Sequence, residues 1–158
     1  HGMAQRGGSV VSHVRIADTS IFSPLIAEGA ADYLIALELL EGLRWIWMLA
    51  PAGKVIADRR RIIPLAVQAG AGEYPADAEQ RLAERGPVVD ATALAAQLGE
   101  PRAANAVLLG MLAAELEIPR PAWRDAFEAC LKPKAVEVNW QAFIRGLDLN
   151  RTRGREKS

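Results

Sequence analysis

Gln5 and Arg6 stand directly ahead of a glycine pair, Gly7–Gly8, and the four run into an alternating stretch that begins at Val10. A carboxamide and a guanidinium supply donors suited to a carbonyl or an anion. Paired glycines permit positive φ, or the close approach of another group to the backbone. The chemistry of such a loop is contact, with a substrate or with another protein surface, rather than bond making. Two further polar residues occupy positions where ligands collect or helices start. Glu38 follows the apolar run Tyr33–Leu37, at the carboxyl end of an expected central strand, where open α/β sheets gather their ligands. The same carboxylate also suits the first turn of the next helix, where the dipole favours negative charge. Both readings of Glu38 stay open. Asn105 precedes an apolar helical run and reads first as a helix cap, with a ligand contact as the second reading.

Groups for catalysis are missing from the pattern. No Gly-x-Gly-x-x-Gly follows a strand, no phosphate loop carries a lysine, and no nucleophile elbow or His/Cys cluster has metal spacing. No catalytic residue and no metal ligand is therefore assigned. The two histidines are His1 and His13. His13 alternates with valines and is expected to be hydrogen-bonded and half-buried. Gly70 and Gly72 read as a turn, and Arg59–Arg60–Arg61 as a solvated face.

The elements that must position these groups follow from periodicity. Val10, Ser12, Val14 and Ile16 face one way, and Val11, His13, Arg15 and Ala17 the other, which predicts a strand. After a loop over 18–29, Tyr33–Leu37 is a continuous apolar run, as expected of a strand covered on both faces. A helix to about Leu49 should bury Leu39, Leu43, Ile46 and Trp47. Pro51–Gly53 should end it, ahead of a strand over Lys54–Asp58. Ile62–Val67, with Pro64 inside it, is expected as an edge strand. A helix over Asp77–Arg85 capped by Asp77, a short strand at Val88–Val89, and a helix from Ala91 closed by Gly99 come next. The rest is expected to be helical: Ala103–Leu116, Ala122–Leu131 and Val136–Leu147. Residues 1–149 form one expected domain, and 150–158 a disordered basic tail. The alternation of strand and helix implies an α/β fold, a three-layer α/β/α arrangement on a mainly parallel sheet with a helical C-terminal part.

Composition narrows the function. Nineteen basic residues balance nineteen acidic ones, for zero net charge. The pI near 7.0 argues against nucleic acid as the main partner, which needs a basic surface. The one cysteine, Cys130, can neither close an internal disulfide nor supply the four thiolates of an iron–sulfur cluster. A reducing cytoplasm is the expected compartment, and no apolar run reaches the length of a membrane span.

The stretch His1-Gly2-Met3-Ala4-Gln5-Arg6-Gly7-Gly8-Ser9-Val10 closely resembles the gamma-type subunits of 2-oxoacid:ferredoxin oxidoreductases, most of all the indolepyruvate-type beta subunits. The resemblance continues, in order, through Ser23–Ile26, Gly29–Asp32, Glu38, Leu40–Arg44, Tyr74–Pro75, Asp90–Ala91, Asn105–Gly110 and Asn139–Phe143. It covers about residues 1–147. It implies the Rossmann-like fold of domain III of pyruvate-ferredoxin oxidoreductases, with the first βαβ unit and its Gly-Gly-Gln-Gly loop missing here. It also implies an accessory subunit of an enzyme that oxidatively decarboxylates an arylpyruvate, with pyruvate or 2-oxoglutarate as the alternative substrates. In that family electrons pass to ferredoxin and the acyl group to coenzyme A. Thiamine diphosphate and iron–sulfur clusters are expected in a partner alpha subunit, with no cofactor bound by this chain alone. Gln5, Arg6, Gly7, Gly8, Glu38 and Asn105 would then face that partner or the coenzyme A path. A stand-alone binding module is the alternative from a different class. Without its first βαβ unit, the isolated chain is expected to associate or to be poorly soluble.

Overall fold

The structure, a computed structural model, describes residues 10–155. Three parallel strands form its sheet in the order β1 (Ala31–Ala36), β2 (Leu49–Asp58), β3 (Val88–Val89). Helix α1 (Leu39–Trp45) and a 3-10 turn (Ile46–Met48) join β1 to β2, while α2 (Leu65–Gln68) and α3 (Ala78–Ala83) join β2 to β3. Then come α4 (Ala91–Gln97), a 3-10 turn (Pro101–Ala103), α5 (Ala104–Ala113), α6 (Arg120–Cys130) and α7 (Pro133–Arg155).

Successive residues of β2 point to opposite faces of the sheet and divide the core in two. Ile56 joins Val107, Leu108, Met111 and Phe143 in the cluster built by α4 to α7. Val55 and Ala57 join Leu39 and Leu82 on the other side, under α1 and α3. This is the expected α/β layering on a parallel sheet. On the helical side, α5 and α7 touch through two glycines. A methyl group on Gly110 would collide with the carbonyl of Phe143, and one on Gly146 with that of Val107. Four rings fill the space beside this crossing. Phe143 stacks on Trp140 at 5.2 Å, and Phe127 meets Phe143 edge-on at 5.3 Å.

Several expectations need correction. The stretch Val10–Ala17 is no strand: it joins no ladder among the described residues, because no described strand lies along it. Strand β2 begins at Leu49, not Lys54, so Pro51 lies inside it. The ladder absorbs the extra residues as an irregularity, Ala31 pairing with Leu49 and Tyr33 with Lys54. The 3-10 turn over 46–48 shifts the helical phase, so Met48 is buried and Trp47 is exposed. Ile62–Val67 is no edge strand. Pro64 stands at the N-cap of the short α2, a position compatible with its fixed φ and missing N–H. Asp77 occupies the N-cap of α3 without a side-chain bond to it. Helix α7 runs to Arg155, past Leu147 and into the stretch expected to be a disordered tail. No helix among the described residues is long and apolar enough to cross a membrane.

Candidate functional site

Parallel strands deliver their carboxyl ends to one edge of the sheet, and there Asp58 ends β2, Asp90 follows β3 directly and Glu38 lies two residues beyond β1. Glu38 is 4% exposed and is the N-cap of α1, where Oε2 accepts from the Glu41 N–H at 2.9 Å. Its other oxygen, Oε1, accepts from the Ile62 N–H at 3.0 Å and from the Tyr74 hydroxyl at 2.6 Å. Asp58 is 1% exposed, and its oxygens accept from the Ala91 N–H at 3.1 Å and the Thr92 hydroxyl at 2.5 Å. Asp90 caps α4 by accepting from the Ala93 N–H at 2.9 Å.

These bonds lace the loops together. The chain leaving β2 donates from Arg59 N to Val89 O at 2.7 Å, and its Arg60 carbonyl accepts from Leu39 N at 3.0 Å. Burial, followed by the hydrogen bond to Glu38 and that residue's charge, pushes the Tyr74 phenol well above its ordinary value. The Arg61 guanidinium lies 5.7 Å from the Tyr74 ring centroid, and Arg59 pairs with Glu79 at 2.7 Å. The arginines read from sequence as a solvated face are exposed, but two of them also brace this edge.

Such carboxylates hold structure. Each oxygen of Glu38 already has a donor on the protein, and backbone amides make poor proton acceptors or donors for catalysis. The capping reading of Glu38 is therefore the one its geometry supports. Around it, Leu37, Ile62, Ile63 and Leu65 are exposed, with Arg60 and Arg61 beside them in sequence.

Asn105 is exposed in the first turn of α5, where its Oδ1 accepts from the next residue's N–H, Ala106, at 2.9 Å. It does not cap the helix, whose N-cap is Ala103. It lines an apolar cavity of about 210 Å³ with Leu109, Trp123, Phe127 and Asn139, and shares no bond with the Glu38 network. Gln5, Arg6, Gly7 and Gly8 lie outside the described residues. His13 is half-buried, and its Nδ1 accepts from the Ile26 N–H at 3.0 Å, as expected. Among the described residues no group of three or more His, Cys, Asp or Glu is placed to hold a metal ion. Asp58 and Tyr74 were not singled out from sequence as parts of this network. Asp58 carries the same signal as Glu38, an acid at the end of an apolar strand, whereas the reach of Tyr74 needs the tertiary structure.

Comparison with known proteins agrees with this architecture. Residues 1–149 match the family described as pyruvate ferredoxin/flavodoxin oxidoreductase. The chain is 40% identical over 153 residues to the indolepyruvate oxidoreductase subunit IorB of Archaeoglobus fulgidus, covering 92% of this chain and 75% of that one. It is 35% identical to the IorB subunit of Pyrococcus horikoshii, covering 93% and 76%. The corresponding subunit of Thermococcus kodakarensis is 32% identical over 155 residues, with the same coverage. An α/β chain with a parallel sheet, matched over nearly its full length, belongs to the pyruvate ferredoxin/flavodoxin oxidoreductase family.

Proposed function

We propose that this chain is the accessory subunit of an indolepyruvate-type ferredoxin oxidoreductase and works in the cytoplasm as part of a hetero-oligomer. The observation that carries the reading is identity of 32 to 40% to three proteins named indolepyruvate oxidoreductase subunit IorB, along more than nine-tenths of the chain. The reaction it supports is oxidative decarboxylation of an arylpyruvate to an acyl-coenzyme A, with electrons passed to ferredoxin. Thiamine diphosphate and the iron–sulfur clusters belong to the partner alpha subunit, and coenzyme A is the co-substrate. This chain contributes surface. Gln5 and Arg6 offer donors to the partner or to the coenzyme A path, with Gly7 and Gly8 allowing close approach. The exposed side chains around Glu38 supply a second contact, and Glu38 itself holds them in place.

The test is reconstitution with a thiamine-containing alpha subunit and an assay of viologen reduction. Reduction driven by arylpyruvates, faster than with alpha alone and faster than with pyruvate or 2-oxoglutarate, is expected. Equal rates with and without this chain would overturn the reading. A preference for pyruvate or 2-oxoglutarate would keep the subunit role and change the substrate.

A further inference from the structure

Between α5, α6 and the first turns of α7, apart from the Glu38 network, lies the cavity of about 210 Å³ that Asn105 lines. Leu109, Trp123 and Phe127 make its apolar walls, and Asn139 and Cys130 line it with Asn105. The walls are braced from behind. Phe127 meets Trp140 at 5.7 Å and Phe143 at 5.3 Å, both edge-on, and Trp123 lies 5.4 Å from Phe143. Rings packed in this way resist turning inward, so the space is formed before anything enters it. Asn105 and Cys130 are exposed while Phe127 is buried, which gives the cavity a mouth and a floor.

The two asparagines present unlike groups. Oδ1 of Asn105 accepts from the Ala106 N–H at 2.9 Å, which leaves its NH2 as the end with no bond to another described residue. The NH2 of Asn139 donates to the Ala135 carbonyl at 2.8 Å, which leaves its Oδ1 in the same condition. One amide therefore offers a donor and the other an acceptor. No charged side chain among the described residues lines the cavity, so an anion entering it would find no counter-charge. A plain hydrocarbon would take water from both free amide ends and return no bond. A neutral, flat ligand with an acceptor beside a donor meets both conditions.

We propose that this cavity binds an aromatic lactam, whose carbonyl accepts from the Asn105 amide nitrogen and whose ring N–H donates to Asn139 Oδ1. An apolar cavity of about 150 Å³ takes up benzene, so this one has room for such a ring with a second fused to it. A purine edge carries a similar donor and acceptor but brings further ring nitrogens, which walls of Leu109, Trp123 and Phe127 leave without partners. The assignment does not depend on the accessory-subunit reading.

Three probes test it on the complete protein: 2-quinolone, naphthalene of nearly the same shape, and adenine. Calorimetry should show 2-quinolone binding about tenfold or more tightly than naphthalene. Saturating 2-quinolone should also slow, several-fold, the labelling of Cys130, the one thiol of the chain, by an aromatic disulfide reagent. Asn105→Leu and Asn139→Leu should each weaken 2-quinolone by about tenfold, roughly 1.4 kcal/mol, and leave naphthalene unchanged. Leu109→Trp, which fills the cavity, should remove the protection of Cys130, and the two asparagine changes decide the matter where that larger one disturbs the fold. Unprotected Cys130, equal affinity for naphthalene, or a preference for adenine would each overturn the assignment. None of these outcomes bears on reconstitution with the alpha subunit.

Discussion

Tyr74 donates its hydroxyl to Oε1 of Glu38 across 2.6 Å, joining a loop ahead of α3 to the end of β1, thirty-six residues earlier. With Ile62 N on the same oxygen and Glu41 N on the other, one buried carboxylate fixes three segments of the carboxyl edge. Tyr74→Phe removes one donor and leaves the other two, and should destabilise the chain by about 1–2 kcal/mol. Glu38→Ala leaves Ile62 N, Glu41 N and the phenol without their acceptor and should cost more than the tyrosine change. Urea midpoints compared at constant m-value check both, and equal effects would show that Tyr74 is the only partner of consequence.

The same pair sets an alkaline limit. The phenol is raised above its unfolded value, so its contribution is complete below a pH of about 10 and is lost as pH climbs toward the folded value. Of the two tyrosines, Tyr74 should ionise in step with alkaline unfolding rather than before it. Phenolate absorbance of a Tyr33→Phe variant, followed against far-ultraviolet circular dichroism, reports this directly. Ionisation near pH 10 with the fold intact would contradict the geometry.

At the end of β2, Asp58 accepts from a helix amide and a hydroxyl while almost wholly shielded from water. Asp58→Asn turns one acceptor into a donor facing either Ala91 N–H or Thr92, and should cost about 1–3 kcal/mol. Thr92→Val combined with it should be less than additive, because both changes disrupt one bond. Thermal or chemical denaturation of the four members of the cycle measures the coupling.

Gly110 and Gly146 set how closely α5 and α7 cross. An added methyl on either meets a backbone carbonyl of the other helix rather than a flexible side chain, so the helices must part. Gly110→Ala or Gly146→Ala should cost about 1–3 kcal/mol, although alanine is the better helix former by roughly 1 kcal/mol. An increase in melting temperature for either variant would refute the close crossing.

Lys54 on β2 and Glu115 beyond α5 pair at 2.6 Å, and Asn150 of α7 donates to the same carboxylate at 2.8 Å. The bond to Lys54 chiefly holds the Glu115 carboxyl below its ordinary value. Its contribution is therefore present above the unfolded value, about 4.3, and is lost as pH falls through the lower folded one. Lys54 is half-exposed, so Glu115→Gln should cost under about 1 kcal/mol at neutral pH, less in high salt, and nothing in acid. Stability curves from pH 2 to 7 for parent and variant should converge at the acid end.

Local pattern carried much of the architecture. The apolar run ending before Glu38, the strand Val88–Val89 before Asp90, and the close of α4 before Gly99 at φ +83° are all set by neighbours in sequence. So is the amphipathic course of α6, and ordered blocks of residue identity marked the family. What misled the periodicity was competition from elsewhere in the fold. Residues 49–53 join β2 because β1 offers Ala31 as a partner, despite Pro51. Val10–Ala17, with better strand residues, stays unladdered because no described strand lies beside it. The role of Glu38 was likewise undecided in sequence. Position at a strand end allows a ligand or a cap, and only the three-dimensional approach of Ile62 and Tyr74 occupies its oxygens. Sequence by itself determined which segments have an apolar side and what kind of element each favours. The tertiary structure decided which of them find a partner, because hydrogen bonds between distant residues depend on distance in space rather than along the chain.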